Sequence, residues 1–413
     1  MKRFTALVIC IMLLLTGCAS KIQAKELAVA NVPTSDQWYD AFSAQTDPTG
    51  NIEYVKKLVS SLIEDDGENK VVSPANIYFA LAMLVECTDG NSQKQILDLL
   101  GRSDVEKLRE NAYILWQKMY SENGEKKSVL SNSLWISDKH ADSFKKDTID
   151  ILQQKHFASA YNGDFGDGAF VKQIRNWINE QTGGLLKDSA QKLEISPETV
   201  MALVSTLYYK AQWSDEFIKE NTEKGIFHAP DGDVTVPFMK ESSSGTLYHT
   251  DKFSAVKKEL IGTEKMTFIL PNDSYTVSDI LKDEKALDFI AENNRVGIKD
   301  ATINLSVPRF DISFDTSLID SLKKVGVTDV FDSECADFSP LTDSGVFVSK
   351  AEHAATLTID EEGVEGAAFT AMSLESDIML PTEEIDFVLD RPFIFVVSGE
   401  DNLPRFVGIV NNP

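Results

Sequence analysis

Few residues of this sequence have the types and spacing that catalysis or metal binding requires. The five histidines, His140, His156, His228, His249 and His353, stand singly, so none has a partner four residues away to share a metal ion. The acidic stretch Asp332–Asp337 lacks the glycine and the final glutamate of a calcium-binding loop. Gly-x-Ser-x-Gly, Walker and Gly-x-Gly-x-x-Gly motifs are also absent from the sequence. We therefore predict no catalytic residue, no metal and no cofactor.

The stretch 359–380 has the clearest functional pattern. It is rich in small residues and carries neither a helix cap nor a hairpin turn signal, so ordering it costs entropy without an evident return. Successive side chains of a strand point to opposite faces. One face here would carry compact or apolar residues, namely Val364, Gly366, Ala368, Thr370, Met372 and Leu374, and the other Glu365, Ala367, Phe369, Ala371, Ser373 and Glu375. This alternation predicts a strand with one buried face and disfavours a merely flexible tether.

A packed domain must position this stretch. The chain has 413 residues, 43% of them hydrophobic, which is enough for a sizeable core. Residues 1–17 stand apart because Lys2 and Arg3 precede an apolar run that is short for a membrane span. The run ends in Leu15-Thr16-Gly17-Cys18, which resembles a bacterial lipoprotein cleavage site. The alternative is a buried N-terminal strand that ends in cysteine. We predict a signal peptide at 1–17, a lipid on Cys18, and an extracellular protein anchored at the cell surface.

The mature chain is strongly acidic. Removal of residues 1–17 takes away Lys2 and Arg3 and no acidic residue, so the formal charge changes from −25 to −27. This charge argues against nucleic acid and anionic lipid surfaces as partners and leaves the lipid on Cys18 as the membrane contact. Residues 18–50 read as a tether, and the folded domain is expected at 51–413.

Cysteine usage predicts free thiols. Cys10 is lost with the signal peptide, and Cys18 carries the lipid. The two others, Cys87 in a helical pattern and Cys335 in an acidic loop, are too isolated to suggest a disulfide, a redox pair or a zinc site.

The periodicity predicts a helix-rich first half and a strand-rich second half in one α+β domain without internal repeats. Helices are predicted over 52–64, 73–87, 92–99, 105–121, 141–154 and 169–181. Strands are predicted over 129–136, 199–209, 234–239, 253–260, 265–269, 301–314, 347–360, 385–389, 393–398 and 406–410.

Five blocks in the order of one family carry a resemblance to the serpins, which extends from about residue 51 to Pro413. The blocks are Asn69-Lys-Val-Val-Ser-Pro-Ala-Asn-Ile77, Leu203-Val-Ser-Thr-Leu-Tyr-Tyr-Lys-Ala-Gln-Trp213, Ser349-Lys-Ala-Glu-His353, Asp390-Arg-Pro-Phe393 and Phe406-Val-Gly-Ile-Val-Asn-Asn-Pro413. The resemblance implies a fold of three β-sheets and about nine α-helices. It also implies that residues of about 361–384 form an exposed reactive loop.

The family's mechanism explains why such a loop is useful. A protease cleaves the loop, the loop enters the central sheet as an additional strand, and the acylated protease is distorted before it can deacylate. The hinge that begins this movement matches Glu361, Glu362, Gly363, Val364, Glu365, Gly366, Ala367 and Ala368. Glycine at position 363 is expected because the backbone must change its dihedral angles there. Gly366 stands where the family usually has alanine, which weakens a strand slightly, and Phe369 is bulkier than the usual small residue; both departures bear on the efficiency of inhibition.

The resemblance also assigns residues that hold the sheet closed. Ser73, Asn76, Ser205 and His353 match the shutter, a buried polar cluster beneath the point where the sheet parts, and Trp213 matches the breach at the end of the sheet. Asn76 and Ser205 exchange the usual serine and asparagine but keep the same donors and acceptors. Arg309 matches a basic position that pairs with Glu361.

The sequence leaves two candidates for the scissile bond. Counting forward from Gly363 gives Asp377-Ile378, and counting backward from Phe387 gives Met379-Leu380. Asp377 would suit an Asp- or Glu-specific protease or a cysteine protease, whereas Ile378 or Met379 would suit an elastase- or chymotrypsin-like pocket. A trypsin-like target is disfavoured because no lysine or arginine lies between Gly363 and Arg391.

The predicted function is that of a monomeric, lipid-anchored inhibitor that forms a covalent acyl complex with a serine protease. We prefer an elastase- or chymotrypsin-like target. A non-inhibitory serpin that acts as a binding protein is the first alternative, and the insertable face argues against it. A lipid-anchored hydrolase is the second, and the missing nucleophile motif argues against it.

Overall fold

The α-helices lie mostly in the first half of the chain. The computed structural model describes residues 24–30, 48–122, 126–292, 296–364 and 383–413. The helices of these residues are α1 (Pro48–Leu62), α2 (Pro74–Cys87), α3 (Gly90–Leu99), α4 (Val105–Met119), α5 (Lys146–Lys155), α6 (Gly168–Gln181), α7 (Lys187–Lys192), α8 (Val277–Leu281), α9 (Glu284–Ile290) and α10 (Ile319–Lys324). The six longest correspond to the six helices that the periodicity predicts.

Strands dominate the second half. They are β1 (Lys25–Ala28), β2 (Lys70–Val72), β3 (Ser121–Glu122), β4 (Lys126–Ser137), β5 (Ala158–Gly163), β6 (Met201–Gln212), β7 (Glu223–Ala229), β8 (Gly232–His249), β9 (Phe253–Leu260), β10 (Glu264–Pro271), β11 (Gly297–Pro308), β12 (Phe310–Ser317), β13 (Glu352–Ile359), β14 (Gly363–Val364), β15 (Glu384–Val388), β16 (Phe393–Ser398) and β17 (Phe406–Val410). The α+β composition that the sequence predicts is confirmed.

The strands form two sheets. Sheet I has the order β1-β5-β4-β6-β14-β13-β12, with β3 paired to β4. Sheet II has the order β15-β11-β8-β9-β10-β16-β17-β2, with β7 paired to β8. The resemblance implied three sheets. In the described ranges the second and third form one ladder because the 18-residue strand β8 pairs with β11 and β7 and also, at its C-terminal end, with β9.

The helix α2 fills the centre of the molecule and places two polar residues at its start. Ser73 caps the helix by accepting a hydrogen bond from the Asn76 backbone N–H, and Pro74 occupies the first turn, where its missing N–H costs nothing. Thirteen of the fourteen residues of α2 are buried. One face of α2 packs on β6. Ser73 and Asn76 therefore lie directly beneath sheet I.

The helix α6 covers sheet I from the other side. Phe170 and Ile174 of α6 pack with Trp135 of β4 in a small apolar cluster, which also contacts Val204 of β6. The central strand β6 is consequently sandwiched between α2 and α6. Any strand that joins β6 in sheet I must enter between these two helices.

Several predicted segments differ from the structure, including the strand predicted over 347–360, which begins only at Glu352. Residues 301–314 form two strands rather than one, because β11 pairs in sheet II whereas β12 pairs in sheet I. The chain crosses between the sheets at Arg309, whose N–H donates to the Pro237 carbonyl at 3.0 Å. The predicted helix over 141–154 begins only at Lys146, since Asp138–Ser143 forms a 3₁₀ turn.

The N-terminal segment is more than the tether predicted for residues 18–50. Lys25–Ala28 forms β1, which pairs with the outer edge of β5, and α1 begins at Pro48 rather than near residue 51. Within the described ranges no helix is long and apolar enough to cross a membrane. The same ranges contain no group of three or more histidine, cysteine or acidic side chains that could hold a metal. Cys87 and Cys335 are free thiols, as predicted.

Candidate functional site

The strand β14 occupies a position in sheet I between β6 and β13. Gly363 lies opposite Gln212 and Val364 opposite Ala211, while Val364 also pairs with Ile359. No other pair of described residues connects β6 with β13. We call the position between these two strands the slot. The side chain of Val364 is only 1% exposed in the slot, so the first residue of the predicted inserting face is already inside the sheet.

The close approach of β6 requires glycine at position 363. Gly363 does not adopt a positive φ. A Cβ atom at this position would lie 2.3 Å from the Ala211 carbonyl oxygen and 2.8 Å from the Gln212 Cα atom. Backbone atoms of a paired strand cannot yield to such a contact. A packing argument therefore joins the dihedral argument made from the sequence, which stays a prediction: only glycine lets the chain approach β6 this closely.

The turn before β14 is fixed by its own side chain. The Asp360 N–H donates to the Gly363 carbonyl at 3.0 Å, and the Asp360 carboxylate accepts from the backbone N–H groups of Glu362 at 2.9 Å and Gly363 at 3.2 Å. Aspartate is favoured in turns because its side chain can bond to backbone groups two residues ahead. The hydrogen bonds of Asp360 thus fix the turn through which the chain enters the slot.

Trp213 ties this turn to the end of β6. Its indole Nε1 donates to the Asp360 carbonyl at 2.9 Å, and its backbone N–H donates to the Glu362 carbonyl at 3.0 Å. Phe217 donates its backbone N–H to the Glu361 carbonyl at 3.0 Å. All three residues of the turn therefore have their carbonyl groups bound by the segment that follows β6.

An ion pair closes the same end of the slot. The Glu361 side chain is 3% exposed; it accepts from Arg309 Nε at 2.9 Å and from a second Arg309 nitrogen, and from Thr222 Oγ1 at 2.5 Å. Burial alone would raise the pKa of the Glu361 carboxyl, but these hydrogen bonds outweigh burial and hold the pKa below its ordinary value. Arg309 is 44% exposed, and Lys219 binds the neighbouring Glu362 at 2.5 Å. We call Trp213, Arg309 and Glu361 the breach.

A buried cation lies beneath the breach. Lys258 is 6% exposed, and its Nζ atom lies 4.3 Å from the ring centre of Phe217 and 5.5 Å from that of Trp213. The same nitrogen donates to Glu241 at 2.5 Å. The aromatic rings and the carboxylate together compensate the cost of burying this ammonium group.

The shutter lies lower in the slot, where α2 meets β6 and β13. His353 of β13 accepts a hydrogen bond at Nε2 from the Ser73 backbone N–H at 3.0 Å. The Asn76 side chain donates to Ser205 Oγ of β6 at 2.9 Å. The start of α2 is thus bound to one strand on each side of the slot. Ser73, Asn76, Ser205 and His353 are called the shutter below.

His353 must be neutral to accept this bond. Burial lowers the pKa of its imidazole to about 4, and Asp315 opposes the shift only in part. A cavity of about 30 Å³, the volume of one water molecule, lies beside the ring. Its walls include Ser205 and Leu207 of β6 and Thr356 of β13. The slot is therefore not tightly filled at the level of the shutter.

Comparisons with known proteins agree on one family. The family model described as Serpin (serine protease inhibitor) matches residues 50–413. This chain belongs to the serpin family. Serpin-Z1C of Triticum aestivum is 28% identical over 371 residues, which cover 86% of this chain and 92% of that protein. An uncharacterized serpin-like protein of Thermococcus kodakarensis is 26% identical over 440 residues, covering 100% of this chain and 99% of that protein.

Solved serpin structures show the same fold. The native state of tengpin, a thermophilic serpin, matches with a TM-score of 0.79 at 25% identity and covers 95% of this chain and 100% of its own. Thyroxine-binding globulin in complex with thyroxine matches with a TM-score of 0.75 at 24% identity, covering 89% and 99% of the two chains. The expected serpin fold is confirmed. Serpins are generally protease inhibitors that act as suicide substrates, and some members are non-inhibitory.

The structure of this serpin places the sequence-predicted residues as follows. Ser73, Asn76, Ser205 and His353 meet at the shutter, and Trp213 and Arg309 meet the turn at Glu361. Their role in holding the sheet stays a prediction. Several predicted residues lie outside the described ranges, namely the lipidation site Cys18, the hinge residues Glu365, Gly366, Ala367 and Ala368, and the scissile-bond candidates Asp377, Ile378, Met379 and Leu380.

Sequence reasoning missed three contacts of the breach in this serpin. Thr222 and Lys219 bind Glu361 and Glu362 across 139 and 143 residues, and Lys258 lies beneath the aromatic rings. No local pattern marks these residues, since each partner is distant in the sequence. The only available signal was the unusual run of carboxylates at 360–362, which requires cations nearby.

Proposed function

We propose that this serpin is an extracellular, lipid-anchored inhibitor of serine proteases that acts as a suicide substrate. The observation that carries the proposal is β14. Val364 is buried between β6 and β13, and among the residues described these two strands do not pair with each other directly but only through β14. A loop that continues this strand after cleavage would gain backbone hydrogen bonds on both sides.

The chemistry of trapping needs only the protease's own nucleophile. The serine Oγ attacks the scissile carbonyl, an ester bond forms, and the peptide C–N bond breaks as the new amino terminus takes the serine proton through the protease's histidine. Insertion of the freed loop then draws the acylated protease away. Distortion of its oxyanion hole would stop water from cleaving the ester.

The target is proposed from the loop sequence. No basic residue lies between Gly363 and Arg391, so the proposed cleavage within 376–380 suits an apolar pocket of the elastase or chymotrypsin type. A carboxylate before the scissile bond, at Asp377, would instead need a basic pocket and would select an Asp- or Glu-specific protease or a cysteine protease.

Anchoring is proposed from the N-terminal sequence. The small residues before Cys18 follow an apolar run, as in a lipoprotein signal. Expression in a bacterial host with radiolabelled palmitate should label the wild-type chain and leave a Cys18→Ala variant unlabelled. Equal labelling of both chains would remove the anchor from the proposal without affecting inhibition.

One gel experiment tests the inhibitory function. The mature protein is incubated with elastase, chymotrypsin and a Glu-specific protease, then boiled in SDS. A complex that survives boiling with one of them supports trapping, and the mass of the released C-terminal peptide identifies the scissile bond. Cleavage at every dose without such a complex would identify a non-inhibitory serpin.

A further inference from the structure

The strand β1 fixes where the N-terminal segment joins the domain. It pairs antiparallel with β5, with Lys25 opposite Asn162 and Ala28 opposite Ala160. Side chains of neighbouring elements hold both ends: Gln173 of α6 accepts from the Ala24 N–H at 2.7 Å, and Gln153 of α5 donates to the Val29 carbonyl at 2.7 Å. The Ala30 N–H donates to Ser159 Oγ at 3.0 Å.

The strand register shows at which end of sheet I the segment leaves. Asn162 lies opposite Ile136, and Ile136 lies opposite Met201 at the start of β6. Val364 lies opposite Ala211, ten residues further along β6. At about 3.3 Å per residue, Lys25 and Val364 are separated by about 33 Å along the strand direction. We call the end at Met201 the distal end and the end at Ala211 the insertion end.

The direction of β1 shows that the chain enters this strand at the distal end. β1 runs from the level of Met201 toward the insertion end, because it is antiparallel to β5 and β5 is parallel to β4. Lys25, the first residue of β1, therefore lies at the distal end of the strand. Leu27 and Val29 keep 40% and 53% of their surface exposed here, which gives this edge two apolar side chains suited to a lipid interface.

The length of chain before β1 limits where a lipid anchor can be. Cys18 precedes Lys25 by seven residues, which span at most about 24 Å when fully extended. This reach is shorter than the distance of about 33 Å to the insertion end. We propose that the lipid surface holds this serpin by its distal end, so that the insertion end and the reactive loop are directed away from the membrane. The inference rests on the proposed lipidation of Cys18.

The same register determines where a trapped protease is carried. Val364 and Ala211 are antiparallel partners, so continued pairing brings Leu374 to the level of Met201, ten residues along each strand. Insertion thus moves the acylated end of the loop to the distal end, where the anchor is. A protease of about 230 residues is about 45 Å across. The tether of at most about 24 Å is too short to leave room for this protease between the distal end of the domain and the lipid surface.

Energy transfer to labelled lipid tests the orientation. The mature chain carries Cys335→Ser, and its N-terminal Cys18 is coupled to a phospholipid that bears a 2-cyanobenzothiazole group. The coupling consumes the Cys18 thiol. The lipid-coupled protein is then bound to phosphatidylcholine vesicles that contain a lipid with an acceptor dye. A donor dye is attached at Glu198→Cys near the distal end or at Glu216→Cys near the insertion end, both exposed glutamates that flank β6. Stronger transfer from position 198 is expected. Equal transfer, or stronger transfer from position 216, would overturn the proposal.

Replacing residues 24–30 by glycine and serine keeps the chain length and removes β1. The described part of the domain then begins at Pro48, thirty residues after Cys18, and the difference in transfer between the two positions should disappear. Persistence of the difference would show that β1 does not set the orientation. Because the lipid is attached chemically, neither outcome depends on lipidation in the cell or on protease inhibition.

The consequence for trapping has a separate test on the same vesicles. An insertion of about ten glycine and serine residues before Lys25 adds up to about 35 Å of reach. The anchored wild type should form less SDS-stable complex than the soluble protein, and the insertion should remove this loss. Equal yields from both anchored chains would refute transfer of the protease to the lipid side, whereas failure of the soluble protein to form a complex would concern the proposed function alone.

Discussion

The breach and the shutter are attached to the same two strands but use different chemistry. The breach binds a carboxylate, Glu361, to the half-exposed Arg309, and it stands where the chain enters sheet I. At the shutter Ser73, Asn76 and His353 are buried and all the groups are neutral, with His353 accepting from a backbone N–H. An ion pair costs less free energy where solvent can reach one partner, whereas a charge at the shutter would be desolvated with only Asp315 to offset the cost. The two regions should therefore respond to different perturbations.

The largest effect is expected from Val364→Arg, which changes the slot next to the breach and leaves the shutter residues unchanged. The guanidinium group would replace a side chain that is 1% exposed, so it would be desolvated without a partner. We expect loss of the SDS-stable protease complex and complete conversion to a cleaved substrate. Phe369→Arg, on the opposite face by alternation, is the control that should keep trapping. Unchanged trapping by Val364→Arg would contradict the register of β14.

Acidification should weaken the shutter before the breach. Since the pKa of His353 is lowered to about 4 in the folded state, the unfolded chain binds more protons between pH 4 and about 6.5. Stability is thus lost as the pH falls through this range, by about 2 kcal/mol between pH 7 and pH 5. Urea unfolding should show this loss in the wild type and a smaller one in His353→Gln. The same loss in both proteins would assign the pH dependence to other groups.

The exchange of serine and asparagine at the shutter offers a double-mutant test. Asn76→Ser leaves Ser205 without its 2.9 Å donor, and Ser205→Asn crowds the original amide, so each change should cost about 1–2 kcal/mol of unfolding free energy. The double variant carries serine at position 76 and asparagine at position 205, so one hydroxyl and one amide again face each other. Its cost should fall below the sum of the single changes. Additive costs would show that this bond does not couple α2 to β6.

The smallest effects are expected at the breach ion pair. Arg309→Met leaves the buried Glu361 carboxylate with fewer donors and should cost about 1 kcal/mol, since Arg309 is 44% exposed. Glu361→Gln keeps a bond to Thr222 and should cost less. Thermal unfolding at low and high salt measures both costs, and the Arg309→Met cost should fall at high salt.

The exposed pair of Lys324 and Glu64 supplies the control for that experiment. Lys324→Met should change stability by less than about 0.5 kcal/mol, because both partners are largely exposed. A larger cost for Glu361→Gln than for Arg309→Met would reverse the expected asymmetry. It would mean that losing the charge of the Glu361 carboxylate destabilises the breach more than leaving that buried carboxylate without Arg309.

Local signals made part of the fold predictable. The Ser73-Pro74 start of α2 was evident because a cap and a first-turn proline act within one turn. The alternation after Gly363 stays a prediction beyond Val364, because residues 365–382 lie outside the described ranges. The crossover at Arg309 was not evident, since apolar alternation continues from β11 into β12 although the two strands belong to different sheets.

Long-range contacts decided the rest of the site. The sequence predicted glycine at position 363 from backbone freedom, and the structure adds a second constraint, the close approach of β6. Thr222 and Lys258 joined the breach without any sequence signal. The edge strand β1 was predicted as a tether, because four residues of ordinary composition pair with β5 only when that edge is already formed.

The sequence by itself determined the family, the α+β composition and an alternating segment able to form a strand, because caps, periodicities and short motifs are local properties. Only the tertiary structure decided that Val364 already lies between β6 and β13, that the shutter is neutral and the breach ionic, and that the N-terminal segment joins the end of sheet I opposite to Val364. These features depend on which distant strands become neighbours. Strand pairing and burial set them, and neither can be read from residues that are adjacent in the chain.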